Sequence, residues 1–163
     1  MQSPVFNYIK RTRELFVRLL EELSLEEINE VPNGFRNNIG WNFGHIVVST
    51  QALCYLRTGI VLQDIEIPFF GTYQKGSKPE KWIAAEELET LKTQAFTSIE
   101  RIERDIQDGV FAEISPYATS TYGVEMNNIH EIITCTLMHD NLHLGYATAL
   151  KKAVKEQKRQ LHK

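Results

Sequence analysis

Four stretches of the sequence place apolar residues three and four positions apart, which is the spacing of one face of an α-helix. They run from Ser3 to about Leu23, from Asn38 to just before Gly59, from Leu88 to Ile106, and from Asn127 or Asn128 into a basic tail. The alternating pattern of β-strands is scarce elsewhere in the chain. The sequence therefore predicts an all-α fold, a four-helix bundle, in a single domain over residues 1–163.

The ends of these stretches carry residues that favour helix termini. Ser3 followed by Pro4 is typical of a helix start, and Asn38 is a good cap for the second helix. Gly59 favours the end of that helix. The pattern Ser24-Leu25-Glu26-Glu27 has the form of a capping box, so it predicts a short additional helical turn after the first helix.

Two connections are long for a compact helical domain, Gly59 to Ala84 and Gly109 to Met126. Connections of this length are often functional. The first contains Pro68-Phe69-Phe70-Gly71, which is apolar enough either to pack onto the bundle or to line a pocket mouth. Its length also predicts a crossover between helices two and three instead of a tight hairpin. For the second connection, which has aromatic and apolar residues around Pro116, we expect a short β-hairpin.

The charge of the chain argues against several classes of partner. A formal net charge of −3 lacks the clustered positive field that nucleic-acid binding requires. Basic residues concentrate between Lys151 and Lys163, where they complement the negative end of a final helix. The sequence contains no apolar run typical of a signal peptide or a membrane span, and Cys54 and Cys135 are too few for a disulfide framework. We therefore expect a cytoplasmic protein without a nucleic-acid or membrane partner, and both cysteines as core residues.

The residues with the clearest chemistry are histidines. His139 and His143 are four positions apart in a strongly periodic helix, so both project from one face and can bind one ion. Catalytic metal sites characteristically use three protein ligands and leave one position open. His45, in the apolar second helix beside Gly44, is the favoured third ligand, and the missing side chain of Gly44 would leave room beside the ion. Cys135, one turn before His139, is the alternative.

The remaining candidates near this pattern receive less support from the sequence. His130 and His162 are expected on the surface, and Asp140 is expected to be solvated because it points about 100° away from His139. Glu125 and Tyr122 reach the site only if the loop before the fourth helix folds back. From the residues alone, a metal site and merely packed or exposed histidines remain equally open interpretations.

Two short motifs extend the argument beyond the histidines themselves. Trp41-Asn42-Phe43-Gly44-His45 and His139-Asp140-Asn141-Leu142-His143-Leu144-Gly145, with Trp82 ahead of the third helix, resemble the DinB-like (DinB/YfiT) superfamily of small bacterial metal-binding proteins. The resemblance implies a four-helix bundle of uncommon connectivity, a divalent metal ion on His45, His139 and His143, and a homodimer. Many relatives have Gln after the last glycine, where this chain has Tyr146, so the pocket is expected to differ.

The resemblance also implies the candidate functions. Some relatives are thiol S-transferases or isomerases that use a low-molecular-weight thiol such as bacillithiol or mycothiol, and we expect this chemistry with zinc or nickel bound. The alternatives are a non-catalytic metal-binding or stress-response protein, a metal-dependent hydrolase, and a dimerisation bundle without metal. Trp41, Cys135 and Tyr146 are the expected pocket-lining residues, and no general base can be named.

Overall fold

The computed structural model describes residues 4–60 and 66–161. Its helices are α1 (Pro4–Glu21), α2 (Leu25–Asn29), α3 (Ile39–Gln51), α4 (Phe70–Tyr73), α5 (Ala85–Gln107) and α6 (Ile129–Leu161), and α3 continues into a π-helical turn (Ala52–Leu56). Two short strands, β1 (Tyr117–Ala118) and β2 (Glu125–Met126), form an antiparallel hairpin. The predicted all-α fold is confirmed, and the expected hairpin is present as this small sheet.

Several helix starts follow from the capping residues in the sequence. The Oδ1 atom of Asn38 accepts a hydrogen bond from the backbone N–H of Trp41 at 2.7 Å, which fixes the first turn of α3. The predicted capping box is complete, because the Ser24 and Glu27 side chains each accept a hydrogen bond from the other residue's backbone N–H. Asn128 caps α6 in the same way, by accepting from the N–H of Glu131 at 3.1 Å.

The four long helices are joined in an unusual order. α1 and α3 lie diagonally across the bundle, and each packs mainly against α5 and α6. α3 and α5 run in the same direction: Gly40 contacts Ile83 at their N-terminal ends, and the Tyr55 hydroxyl donates to Asp105 at 2.5 Å near their C-terminal ends. The connection between these two helices therefore crosses the length of the bundle, as the sequence predicted.

The interior divides into two apolar clusters along the bundle axis. One includes Phe16, Phe43 and Leu91, and the other includes Ile9, Ile99 and Ile132. All six side chains are completely buried. Burial of apolar surface stabilises the fold by about 25 cal/mol per Å², so these clusters account for the packing of α1, α3, α5 and α6.

A single buried guanidinium joins all four long helices. Arg13 of α1 is 0% exposed, and its Nε donates to Asp140 of α6 at 2.9 Å. Its Nη1 donates to the carbonyl of Ala95 on α5, and its Nη2 donates to the hydroxyl of Thr50 on α3, both at 2.7 Å. A buried charge is tolerated only when it is paired and hydrogen-bonded, so these contacts fix the helices relative to one another.

Asp140 corrects one expectation from the sequence. It was expected to be solvated, but its side chain is 0% exposed and pairs with Arg13. The face of α6 that carries Asp140 packs into the bundle instead of facing solvent. Burial raises the pKa of Asp140 above its ordinary value, and the guanidinium of Arg13 opposes that shift.

The basic end of α6 also makes specific ion pairs. Lys151 pairs with Glu22, and Lys155 and Lys158 pair with Glu27 at 2.8 and 3.2 Å. The hydrogen bond from Lys155 is the main reason that the pKa of Glu27 is lowered to about 2. These ion pairs thus link the C-terminal part of α6 to the end of α1 and to α2. Among the described residues, no helix has both the length and the apolar character needed to cross a membrane.

Candidate metal centre

Three histidines from two helices lie close together on the wall of a cavity. His45 lies in the second turn of α3, and His139 and His143 lie one turn apart on α6. One ring nitrogen from each histidine can be chosen so that all three lie within 4.8 Å of one another. The ring centroids are 5.2 Å apart for His45 and His139, 4.8 Å for His45 and His143, and 4.5 Å for His139 and His143. The structure thus brings together the three residues that the sequence analysis selected.

The hydrogen bonds of two of these histidines determine which ring nitrogen is free. Nδ1 of His45 lies 2.7 Å from the carbonyl oxygen of Tyr73, which can only accept, so Nδ1 carries the proton and donates it. Nδ1 of His143 lies 2.7 Å from Oδ1 of Asn42. Because the amide nitrogen of Asn42 donates to the carbonyl of Asn38 at 2.7 Å, Oδ1 must be the acceptor from His143. In both rings the lone pair is therefore on Nε2, which is left to bind an ion.

The carbonyl that orients His45 reaches it because of a glycine. A Cβ placed on Gly44 would lie 2.5 to 2.7 Å from three atoms of the Tyr73 ring. Only a glycine lets this ring pack directly against α3. The space beside Gly44 was expected to accommodate the ion, but the Tyr73 ring fills it. Trp41 completes the surroundings of His45 by stacking on its imidazole, with centroids 4.6 Å apart and planes 11° apart.

His139 differs from the other two histidines. Its Nδ1 is buried and has no hydrogen-bond partner among the described residues. A buried polar atom without a partner is unfavourable in a native structure and calls for an explanation such as a bound ion. The orphan nitrogen of His139, together with the two fixed Nδ1–H donors, shows that this donor set fits a divalent metal ion.

All three imidazoles are held in the neutral form that binds metals. Burial lowers the pKa of His139 to about 3, and repulsion from His143, His45 and Arg13 adds to this shift. Burial also lowers the pKa of His143 to about 4, again with a contribution from His45. The pKa of His45 is lowered by burial as well, although its hydrogen bond to Tyr73 opposes the change. Lone pairs are consequently available at neutral pH.

A cavity of about 310 Å³ adjoins the three histidines, near the lower end of the roughly 300–1,000 Å³ typical of small-ligand pockets. The two loops and the end of α3 supply most of its wall. Besides the histidines, it is lined by Val48, Ser49, Ala52, Leu53, Arg57, Phe70, Gln74, Lys75, Thr119, Ser120, Thr121, Tyr122, Cys135 and Leu142. The histidine cluster is thus open to a small molecule on one side.

Other residues singled out in the sequence take different positions. Cys135 lines the cavity but is outside the three-histidine group, and burial raises the pKa of its thiol. Tyr146, also expected at the pocket, packs edge-on against Phe35 with centroids 5.8 Å apart. The loop before α6 folds back far enough for Tyr122 to reach the cavity, whereas Glu125 lies in strand β2 and borders a separate outer groove.

The two remaining histidines and the aromatic loop are also placed. His130 is exposed, as expected, and His162 lies outside the described residues. Phe70 lines the cavity, and Phe69 packs against Tyr73 with ring centroids 6.3 Å apart. The apolar segment of the first long connection therefore both packs onto the bundle and lines the pocket.

Several polar contributors to the site were not identified from the sequence, among them Asn42, Ser49, Arg57 and Lys75. Asn42 lies in the first quoted motif but was assigned no role, although it is three residues before His45. Ser49 is one turn after His45, and its hydroxyl lies 3.3 Å from Nε2 of that histidine, a position that helical spacing could have indicated. No sequence pattern near Arg57 or Lys75 predicts their position at the cavity, because the irregular segments after the helices bring them there.

One comparison with known protein families finds a match. The sequence profile of the DinB superfamily matches residues 8–147, which include all three histidines. No curated protein sequence matches the chain.

Proposed function

Because the chain belongs to the DinB superfamily, we propose that it is a metal-dependent enzyme of the thiol S-transferase type, with a divalent ion on His45, His139 and His143. The observation that carries the proposal is the convergence of three neutral imidazoles on a cavity, with two of them held by Nδ1–H hydrogen bonds. Zinc and nickel are the proposed ions, since both favour neutral imidazole.

The reaction needs a thiolate and an electrophile side by side. An ion on three histidines with an open position would lower the pKa of an entering thiol, so that thiolate forms at neutral pH. The protein would bind and orient the reactants. The apolar side chains of Val48, Leu53 and Phe70 exclude water from the wall of the cavity, and the Ser49 hydroxyl lies close enough to hydrogen-bond a ligand beside His45.

The composition of the cavity wall favours thiol transfer over hydrolysis. Hydrolysis by activated water commonly uses a carboxylate as general base. Among the described residues that line the cavity there is no Asp or Glu. Transfer from a thiol needs no such base, because the thiol proton can pass to solvent and the thiolate then displaces a leaving group. A low-molecular-weight thiol is therefore the proposed substrate.

We also propose that the protein is a cytoplasmic homodimer. Met138, Leu142 and Tyr146 are spaced four residues apart on α6, and they are 48%, 54% and 38% exposed. This exposed apolar stripe, in which Leu142 also borders the cavity, is a suitable surface for a second copy of the chain. Cys54 and Cys135 are both free, which supports a reducing compartment.

Metal binding can be tested by purifying the protein without added metal and measuring its metal content before and after zinc or nickel is supplied. Thermal unfolding should shift upward with the ion, since a ligand at 100 times its Kd stabilises the native state by about 2.7 kcal/mol. His143→Ala should lose this shift, and His130→Ala, which alters an exposed histidine outside the cluster, should retain it. A protein that takes up neither ion would refute the metal site.

The transferase assignment needs a separate assay. Metal-loaded protein is mixed with a low-molecular-weight thiol and an alkyl halide, and the loss of free thiol is followed with time. In the expected reaction a carbon–sulfur bond forms, the halide leaves and the thiol proton enters the buffer. The rate should fall to the uncatalysed level in His143→Ala. Tight metal binding without any rate increase would support the non-catalytic metal-binding alternative instead.

A further inference from the structure

Two cationic side chains reach the same cavity from different segments. Arg57 follows the π-helical turn at the end of α3, and its guanidinium lies over the Tyr117 ring, 5.0 Å from the ring centroid. The Tyr117 hydroxyl donates to the carbonyl of Leu53 at 2.7 Å, so the stacking surface itself is fixed. Lys75 follows α4, and its ammonium donates to the Ser120 hydroxyl. Both cations line the cavity beside the histidine cluster.

Neither cation is neutralised by the part of the chain that the structure describes. Within residues 4–60 and 66–161, no carboxylate forms an ion pair with Arg57 or Lys75, and none lines the cavity. The described lining of the cavity therefore carries positive charge even without an ion.

Several cations elsewhere in the protein have carboxylate partners. Lys10 pairs with Glu103 at 2.9 Å, and Lys155 pairs with Glu27 at 2.8 Å. Two cations on one concave surface, with no carboxylate partner in the described part of the chain, repel each other modestly and are best satisfied by an anion between them. An arginine also presents planar donors in a geometry that matches a carboxylate or phosphate.

We propose that Arg57 and Lys75 form an anion subsite, which binds a carboxylate or phosphate group of the ligand that occupies the cavity. The subsite depends on the proposed function in one respect only, that the reacting group of the same ligand would lie at the histidine cluster. The anionic group belongs either to the thiol or to its electrophilic co-substrate. In both cases the two cations select a ligand by the charge of its anionic group.

The subsite can be tested with three thiols of similar size and different charge: mercaptopropionate, mercaptoethanol and cysteamine. Binding to zinc-loaded protein is measured by calorimetry. The anionic thiol should bind more tightly than the neutral one, and the cationic thiol most weakly. Because exposed ion pairs are worth up to roughly 1 kcal/mol, Arg57→Gln and Lys75→Gln should each weaken binding of the anionic thiol about fivefold, and the double variant about 25-fold.

Matched variants separate charge from structural damage. Arg57→Lys and Lys75→Arg keep the charge and should keep most of the preference for the anion. Lys78→Gln changes an exposed lysine in the same loop that is not among the cavity residues, so it should bind like the native protein. The preference should also shrink at about 1 M salt, where the Debye length is about 3 Å.

Thiol-free probes distinguish this inference from the proposed function. Succinate and its neutral diamide are titrated into metal-free protein, along with inorganic phosphate. Binding of succinate or phosphate, lost in the double variant, supports the subsite even if the protein takes up no metal. On zinc-loaded protein, competition between succinate and mercaptopropionate assigns the anion to the thiol, whereas simultaneous binding of both leaves the subsite to the co-substrate. Equal binding of all charge types, or a preference unchanged in the double variant, would overturn the proposal.

Discussion

Replacement of Gly44 by alanine tests how closely packing and metal binding are connected in this protein. The added Cβ would lie 2.5 Å from Cδ1 of Tyr73, closer than side chains tolerate. The Tyr73 ring cannot rotate away easily, because it is completely buried and its hydroxyl donates to Glu87 at 2.5 Å. The clash should therefore displace α4 as a whole, and with it the carbonyl that holds Nδ1 of His45.

The change in the free energy of unfolding expected for Gly44→Ala combines opposing effects. Overpacking of a core position destabilises by about 1–3 kcal/mol, and a lost hydrogen bond to the charged Glu87 would add to that. Alanine regains about 1 kcal/mol over glycine inside a helix. We therefore expect a net loss of about 1–2 kcal/mol in the free energy of unfolding. Loss of the group that orients a metal-binding histidine typically weakens metal affinity about 10- to 100-fold.

Urea denaturation of the metal-free protein measures the first effect, and competition with a chromophoric chelator measures the second. Gly145→Ala is the matched control, because a Cβ at Gly145 meets no atom within 4 Å and the residue also lies in a helix. This variant should be as stable as the native protein or up to about 1 kcal/mol more stable. If Gly44→Ala matched Gly145→Ala in both measurements, the packing argument for His45 would be refuted.

Three further predictions concern the surroundings of the site. Arg13→Met leaves the buried carboxylate of Asp140 unpaired and should destabilise by about 3–5 kcal/mol, whereas adding Asp140→Leu should restore most of that loss in urea denaturation. Asn42→Leu removes the acceptor from Nδ1 of His143 and should weaken zinc binding about 10- to 100-fold in the chelator assay, with His143 still present. The third prediction is that the metal-free protein loses stability between pH 7 and pH 5. Because the folded pKa of His139 is about 3 and the unfolded value is near 6.5, the unfolded state binds the extra proton, so the stability is present above pH 6.5 and falls below it. The contribution of His139, on the order of 2 kcal/mol at pH 5, should be absent in His139→Asn when unfolding is followed by circular dichroism, while the contribution of His143, whose pKa is also lowered, remains.

The helices were predictable because their signals are local. Capping by Asn38 and by Ser24 depends on neighbouring residues alone, and both caps are where the sequence placed them. The π-helical turn from Ala52 to Leu56 was missed, since the apolar periodicity continues through it and nothing in the composition marks the wider turn. This turn precedes Arg57, and its first two residues line the cavity, so the missed irregularity lies at the site.

The histidine cluster was only partly accessible from the sequence. The four-residue spacing predicts that His139 and His143 share a face, but His45 had to be chosen by its apolar context and by family resemblance. The structure brings the three together, while metal binding by them stays a prediction. The Tyr73 carbonyl that orients His45 could not be foreseen, because a backbone acceptor has no residue-type signature and α4 lies in an irregular connection.

The error over Asp140 shows which sequence signal was overlooked. Arg13 is four residues after Ile9 and three before Phe16, so it occupies a core position of α1. Asp140 likewise lies four residues after the buried Thr136 on α6. A charged residue within the apolar stripe of a helix is rarely buried without a partner. Two opposite charges within the stripes of two helices therefore predict a buried pair. Since Asp140 directly follows His139, that pair also fixes the helix that carries two of the three histidines.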